Sequence, residues 1–253
     1  MSVLAAGLAT LLAGTLLLVV PIVGQRRYRR LLAEVDADPE ARLRHYQRGV
    51  QRAWSAVALV GVIGLLSGRS PGSIGLTTGS HPGAGAEIVV EVGLFLALSA
   101  AVFRYGGDRI QRGLRRQARG FLALLPRGRQ ERLWFAAVAV TAGICEEVLL
   151  RGFAMAYVRW VWPSAGDGTV VVLTAAVFGL DHLYQGLRGV ILTFVVGAVL
   201  GSIVTSTGSL LPAMAIHAMI DLRVLALRDL PAPTPEARLR GPAAPRSGPG
   251  PRP

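Results

Sequence analysis

Apolar residues in this chain come in long runs, separated by polar, Arg-rich or Gly- and Pro-containing stretches. The runs lie near 3–24, 53–67, 84–103, 133–157, 169–186, 189–207 and 210–227. Each is long enough to cross, or nearly cross, the hydrocarbon core of a bilayer. The pattern predicts an all-α, polytopic bundle of about seven transmembrane helices. Several runs are rich in Gly and Ala, which lets membrane helices approach one another closely. There is no internal repeat, and no stretch reads as a soluble domain. The integral membrane domain is placed at 1–227. The remainder, 228–253, is rich in Pro and Gly with few apolar anchors, and is expected as a disordered cytoplasmic tail.

Composition agrees with a membrane protein: 52% of residues are hydrophobic, 17% are charged, and mean hydropathy is +0.48. Formal net charge is +12, and every one of the 27 basic residues is Arg. A basic balance suits nucleic acid, but these arginines cluster between apolar runs, so nucleic acid is not the expected partner. Lipid headgroups are. The loop 25–52 carries Arg26, Arg27, Arg29, Arg30, Arg42, Arg44, Arg48 and Arg52, and 104–132 carries Arg112, Arg115, Arg116 and Arg119. Loops at 68–83, 158–168 and around Gly208 carry little positive charge. By the positive-inside rule this alternation predicts the N-terminus out and the C-terminus in. No basic residue precedes the first run, which reads as a retained span rather than a cleaved leader. The stretch "RRLLAEVDADPEARLRHYQRGVQRAW" is expected to lie along the membrane surface. His45 and His81 read as solvated loop residues, and Tyr184, Trp160 and Trp162 as interfacial anchors. A single cysteine, Cys145, excludes an internal disulfide and reads as a small core residue.

Polar residues inside the apolar runs change the picture, because they are expensive in a membrane and functional by default. "GICEEVLLRGF" at 143–153 holds Glu146, Glu147 and Arg151. Glu147 and Arg151 are four residues apart and share a helical face, as an ion pair needs. Glu146 points about 100° away and is left for a cavity, where a carboxylate suits a general base. "FGLDH" puts Phe178 and His182 on one face, with Asp181 at a helix end. "HAMID" does the same for His217 and Asp221. One Glu and two His on separate helices, Glu146, His182 and His217, match a common ligand set for catalytic Zn2+ with water in the open position. The same groups also suit metal-free activation of water. The spacing fits both. An ion-coupled transporter would use similar residues, with symmetry between its halves that is absent here. A non-enzymatic membrane chaperone, immunity or regulatory protein is the other alternative.

These blocks resemble the CAAX prenyl endopeptidase and bacteriocin-processing (CPBP, or Abi) family of intramembrane proteases. Its first motif, two glutamates, three residues and an arginine, is matched by Glu146, Glu147 and Arg151. Its second, Phe, three residues and His, is matched by Phe178 and His182. Its last, His, three residues and Asn or Asp, is matched by His217 and Asp221. Order and spacing are similar to the family too, as is "LLPRGRQER" at 124–132, and the resemblance covers about 120–225. It implies a helix bundle with its site within the membrane; the Arg-rich, Lys-free composition suggests a high-GC bacterium, and so a bacterial plasma membrane. The resemblance implies Glu146 as general base, His182 and His217 binding the water or metal, Asp221 assisting, and Glu147 and Arg151 shaping the site. The implied reaction is hydrolysis of a peptide bond in a membrane-associated protein or peptide. Asp221 stands where the prenyl-processing members usually have Asn, which weakens the expectation of a prenylated substrate and leaves the substrate's identity open.

Overall fold

The structure, a computed structural model, describes residues 2–79, 83–105, 107, 112, 113 and 118–226. The tail expected at 228–253, and His81, Arg115 and Arg116, lie outside the described residues. Among the described residues there is no strand, and the architecture is an all-α helical bundle.

Helix α1 runs Val3–Glu34, with a π-helical turn at Thr15–Val19. After a short turn, α2 occupies Ala41–Leu66. Ala84–Tyr105 forms α3. Arg129–Val161 is α4, continuous through a π-helical segment at Val148–Ala154. Two short helices complete the bundle around α6 (Gly186–Thr207): α5 (Asp167–Asp181) precedes it and α7 (Leu211–Leu222) follows. Local chemistry sets the breaks. Helix α4 stops at the residues before Pro163, where the ring disfavours helical geometry. Gly208, at φ 68°, ends α6 in the left-handed conformation, and Pro212 sits in the first turn of α7.

Among the described residues, four helical segments are long and apolar enough to cross a membrane: Val3–Glu34, Ala41–Leu66, Arg129–Val161 and Leu183–Thr207. The chain is thus a multi-pass membrane protein with about four long spans, not seven. The expected spans at 169–186 and 210–227 are helices of 15 and 12 residues. At 1.5 Å per residue these reach about 22 and 18 Å, short of a hydrocarbon core of about 30 Å. The expected span at 84–103 lies in α3, where the apolar helical segment found among the described residues is Ile88–Ser99. Continuous hydropathy ran across turns that end a helix. With the odd number of crossings gone, the expectation of N-terminus out and C-terminus in no longer follows.

The loop expected at 25–52 is mostly helical, because α1 extends to Glu34 and α2 begins at Ala41. His45 is therefore a half-buried helical residue rather than a solvated loop one. Outward faces carry exposed apolar side chains such as Leu11, Leu18, Leu133, Ile191 and Val199, which water would penalise and lipid accepts. The inward faces form a core in which Leu12, Leu16, Val60, Val148, Leu200 and Leu210 pack together.

Two features hold the helices around the site. Gly143 of α4 faces Ala218 of α7, and a Cβ on Gly143 would lie 2.7 Å from both the backbone N and the Cβ of Ala218. No other residue fits that crossing without separating the helices. At one edge Arg42, 3% exposed, donates to both carboxylate oxygens of Glu131 at 2.8 and 3.0 Å and to the Ala123 carbonyl at 2.8 Å. Tyr46 donates to the Leu124 carbonyl at 2.5 Å. These bonds tie the segment before α4 to α2.

Candidate active site

Glu147 is fully buried at the end of the regular part of α4, where the π-helical segment begins. Its Oε1 accepts from Arg151 Nη1 at 2.9 Å, giving the ion pair that the i,i+4 spacing suggested. Arg151 is 2% exposed, donates from Nη2 to the Gly197 carbonyl at 3.1 Å, and lies 4.6 Å from the centre of the Phe178 ring. A Cβ on Gly197 would meet Arg151 Nη2 at 3.2 Å and Phe178 at 2.9 Å, so α6 needs glycine there. π-Helical turns shift side chains off the regular α-helical register and are frequent at functional sites.

Spacing alone did not indicate a second partner for Glu147. His217 Nδ1 lies 2.7 Å from the same Oε1. The imidazole donates there, since the carboxylate can only accept. That bond joins α4 to α7 and turns His217 Nε2 toward Glu146 Oε2 and Asp221 Oδ2, each 3.8 Å away. The Glu147 side chain is 0% exposed and the Glu146 side chain 36%, so the adjacent carboxylates face a packed interior and a cavity respectively.

His182 follows the last residue of α5 and leaves helical geometry at φ −101°, ψ 19°. Its Nδ1 donates to the Phe178 carbonyl at 2.8 Å, which fixes the tautomer and leaves Nε2 as an acceptor. Phe178 stands edge-on to both imidazoles, with ring centres 4.7 Å from His182 and 5.5 Å from His217. It walls the site and separates it from Arg151.

Glu146, His182, His217 and Asp221 line one cavity of about 190 Å³, with apolar walls that include Phe135, Leu192 and Ile220. Of the six sequence-derived candidates, these four share the cavity, while Glu147 and Arg151 stand behind it. Asp181 is not in the lining, and its Oδ1 is buried with no hydrogen-bond partner among the described residues. Tyr184 was expected as an interfacial anchor but lines this cavity. Cys145 is free and fully buried. A larger cavity of about 310 Å³, between α1, α2, the segment after α2 and the C-terminal half of α4, is almost wholly apolar and contains none of these groups.

Among the described residues no group of three His, Cys, Asp or Glu side chains is arranged to hold a metal ion. Both Nδ1 atoms are committed to protein acceptors, as in histidines that ligate through Nε2. Yet Glu146, His182 and His217 do not converge as a ligand set. What the arrangement offers is a half-exposed carboxylate beside an oriented imidazole. A water can touch both, because 3.8 Å is too long for a direct hydrogen bond but lets one water contact each atom at about 2.8 Å.

Residues 128–223 match the model of the type II CAAX prenyl endopeptidase Rce1-like family. The match is under half of the chain and contains Glu146, Glu147, Arg151, His182, His217 and Asp221. No curated protein and no solved structure matches. A CAAX-protease-like segment within a multi-pass helical protein is consistent with a protease fold and a membrane-associated substrate.

Proposed function

We propose that this chain is an intramembrane endopeptidase of the CPBP type, which hydrolyses a peptide bond in a membrane-associated protein or peptide. The observation that carries the reading is the placement of Glu146: half-exposed to the cavity, 3.8 Å from His217 Nε2, beside a fully buried Glu147 that is already neutralised. A bilayer is the site of action, and in a bacterium that is the plasma membrane.

The reaction proceeds by direct attack of water. A water held between Glu146 and His217 Nε2 faces the scissile carbonyl carbon. Its oxygen bonds to that carbon while its proton passes to Glu146, and the carbonyl π pair moves onto the carbonyl oxygen. Collapse of the tetrahedral species re-forms the C=O and breaks the C–N bond. The proton on Glu146 goes to the departing amine, leaving a carboxylic acid and an amine. His217 holds its orientation because Nδ1 is bonded to Glu147, which Arg151 neutralises. His182 presents Nε2 to the same cavity and positions substrate or water. Asp221, with Oδ2 3.8 Å from His217 Nε2, faces the same edge of the imidazole and helps to hold the water there. No step here runs through a metal. A Zn2+ requirement is tested by the same assay.

The experiment uses purified full-length protein in detergent micelles, a panel of quenched fluorogenic peptides carrying a membrane-anchoring acyl chain, and wild type beside Glu146→Gln, each with and without chelator. Wild type cleaves at least one peptide, and Glu146→Gln loses about 10²–10⁴-fold in kcat, the range for a lost general base. Equal cleavage by both proteins removes Glu146 from the mechanism. A folded wild type that cleaves nothing favours a scaffold or regulator.

A further inference from the structure

Attack on a peptide carbonyl puts negative charge on its oxygen. Hydrogen-bond donors already aimed at that oxygen are among the strongest contributors to catalysis. The side chains assigned so far are poor in such donors. Ionised Glu146 and Asp221 can only accept. His182 and His217 have committed their Nδ1 protons to Phe178 and Glu147. Thr193 in the lining donates to its own helix, at the Gly189 and Val190 carbonyls. Arg223 interacts electrostatically with Asp221.

Tyr184 differs from all of these. It sits in the turn Leu183–Gln185 between α5 and α6, closed by Gly186 at φ 77°. That turn folds its ring beside His182, with ring centres 5.8 Å apart, and against Tyr28 at 5.2 Å. Its oxygen accepts from Gln185 Nε2 at 3.1 Å, and its own proton goes to no acceptor among the described residues. Accepting a hydrogen bond makes a hydroxyl a better donor. Tyr184 and Gln185 both line the cavity that holds Glu146 and the two histidines.

We propose that Tyr184 is a catalytic residue that donates its phenolic hydrogen bond to the oxyanion of the tetrahedral species, with Gln185 as the positioning residue that orients the phenol. The proton stays on the phenol oxygen throughout, so the step moves no atoms beyond those of the hydrolysis above. This inference rests on the peptidase reading. It assigns to the turn after α5 a chemical role, beyond carrying His182 to the end of its helix.

The test compares wild type, Tyr184→Phe and Gln185→Leu on the fluorogenic peptide that wild type cleaves fastest. The phosphinic-acid analogue of that peptide serves as a mimic of the tetrahedral anion. Phenylalanine keeps the contacts to His182 and Tyr28, so the melting temperature stays at the wild-type value. Tyr184→Phe lowers kcat by about 10²-fold, in the range for loss of one oxyanion donor. Its KM stays within about twofold, and the phosphinate binds more weakly by a factor similar to the loss in kcat/KM, as differential transition-state binding requires. Gln185→Leu shows the same signature at a smaller magnitude. Wild-type kcat in Tyr184→Phe overturns the assignment and leaves Glu146 as base untouched. A fall in kcat with unchanged phosphinate affinity also overturns it, since that is the mark of a packing role. If wild type cleaves no peptide, the peptidase reading fails and this assignment with it.

Discussion

Removing Glu147 and removing Glu146 should have opposite consequences, although the two residues are adjacent. Glu147 is 0% exposed, and one of its oxygens receives both Arg151 Nη1 and His217 Nδ1. Its other oxygen, Oε2, has no hydrogen-bond partner among the described residues. Glu147→Ala leaves the buried Arg151 guanidinium with the Gly197 carbonyl and the Phe178 face as its remaining partners. Breaking a buried pair by removing one member costs about 3–5 kcal/mol. At roughly 2–4 °C per kcal/mol for a chain of this size, the melting temperature falls by about 6–20 °C. Glu147→Gln keeps an oxygen for the same two donors and loses only the charge, so its fall is smaller. Replacing both partners, as in Glu147→Leu with Arg151→Met, recovers part of the loss, because no unpaired charge stays buried, although His217 Nδ1 and the Gly197 carbonyl still lose their partners. Glu146→Gln changes a half-exposed group and shifts the melting temperature by no more than about 0.5 kcal/mol equivalent. Cys145 supplies the assay: it is the chain's one thiol, free and fully buried, so a thiol-reactive dye reports unfolding in detergent without any label being introduced. A Glu147→Ala protein that melts with wild type, or a double variant no more stable than the single one, would refute the reasoning.

Other expectations follow from the same contacts. Gly143→Ala pushes a methyl to 2.7 Å from the Ala218 backbone and should cost about 1–3 kcal/mol by overpacking; the dye melt reads this, and peptide turnover falls as α4 and α7 separate. Arg42→Met breaks the paired bonds to Glu131 and the bond to Ala123, and destabilises the segment before α4; limited proteolysis should then cut near 119–128 at a higher rate than in wild type. His217→Gln removes the imidazole bonded to Glu147 and faced by Glu146 and Asp221, and lowers kcat by about 10²-fold or more; turnover close to wild type would place the reaction elsewhere.

Much of the site's composition was legible from spacing, while its wiring was not. The i,i+4 separation of Glu147 and Arg151 sufficed for the ion pair, because both ends lie on one helix. The bond from His217 to Glu147 joins residues 70 positions apart, and no local pattern announces it. Tyr184 was misread for a related reason: next to a hydrophobic run a tyrosine suits a membrane interface, and only the turn at Leu183–Gln185 folds it back over His182. Span counting failed where hydropathy continued through turns that end a helix. His182 and Gly186 end one helix and begin the next within an apolar stretch, and a window average does not register that geometry. The need for Gly143 was foreshadowed only as general Gly and Ala richness, since its partner Ala218 lies on another helix.

The central claim is that Glu146 activates water in the cavity it shares with His182 and His217. Its most direct test is kcat for one cleaved peptide in wild type and Glu146→Gln, measured on preparations with matching Cys145-dye melting curves. The expected result is equal stability with a loss of about 10²–10⁴-fold in kcat for the variant. Equal kcat at equal stability would contradict it.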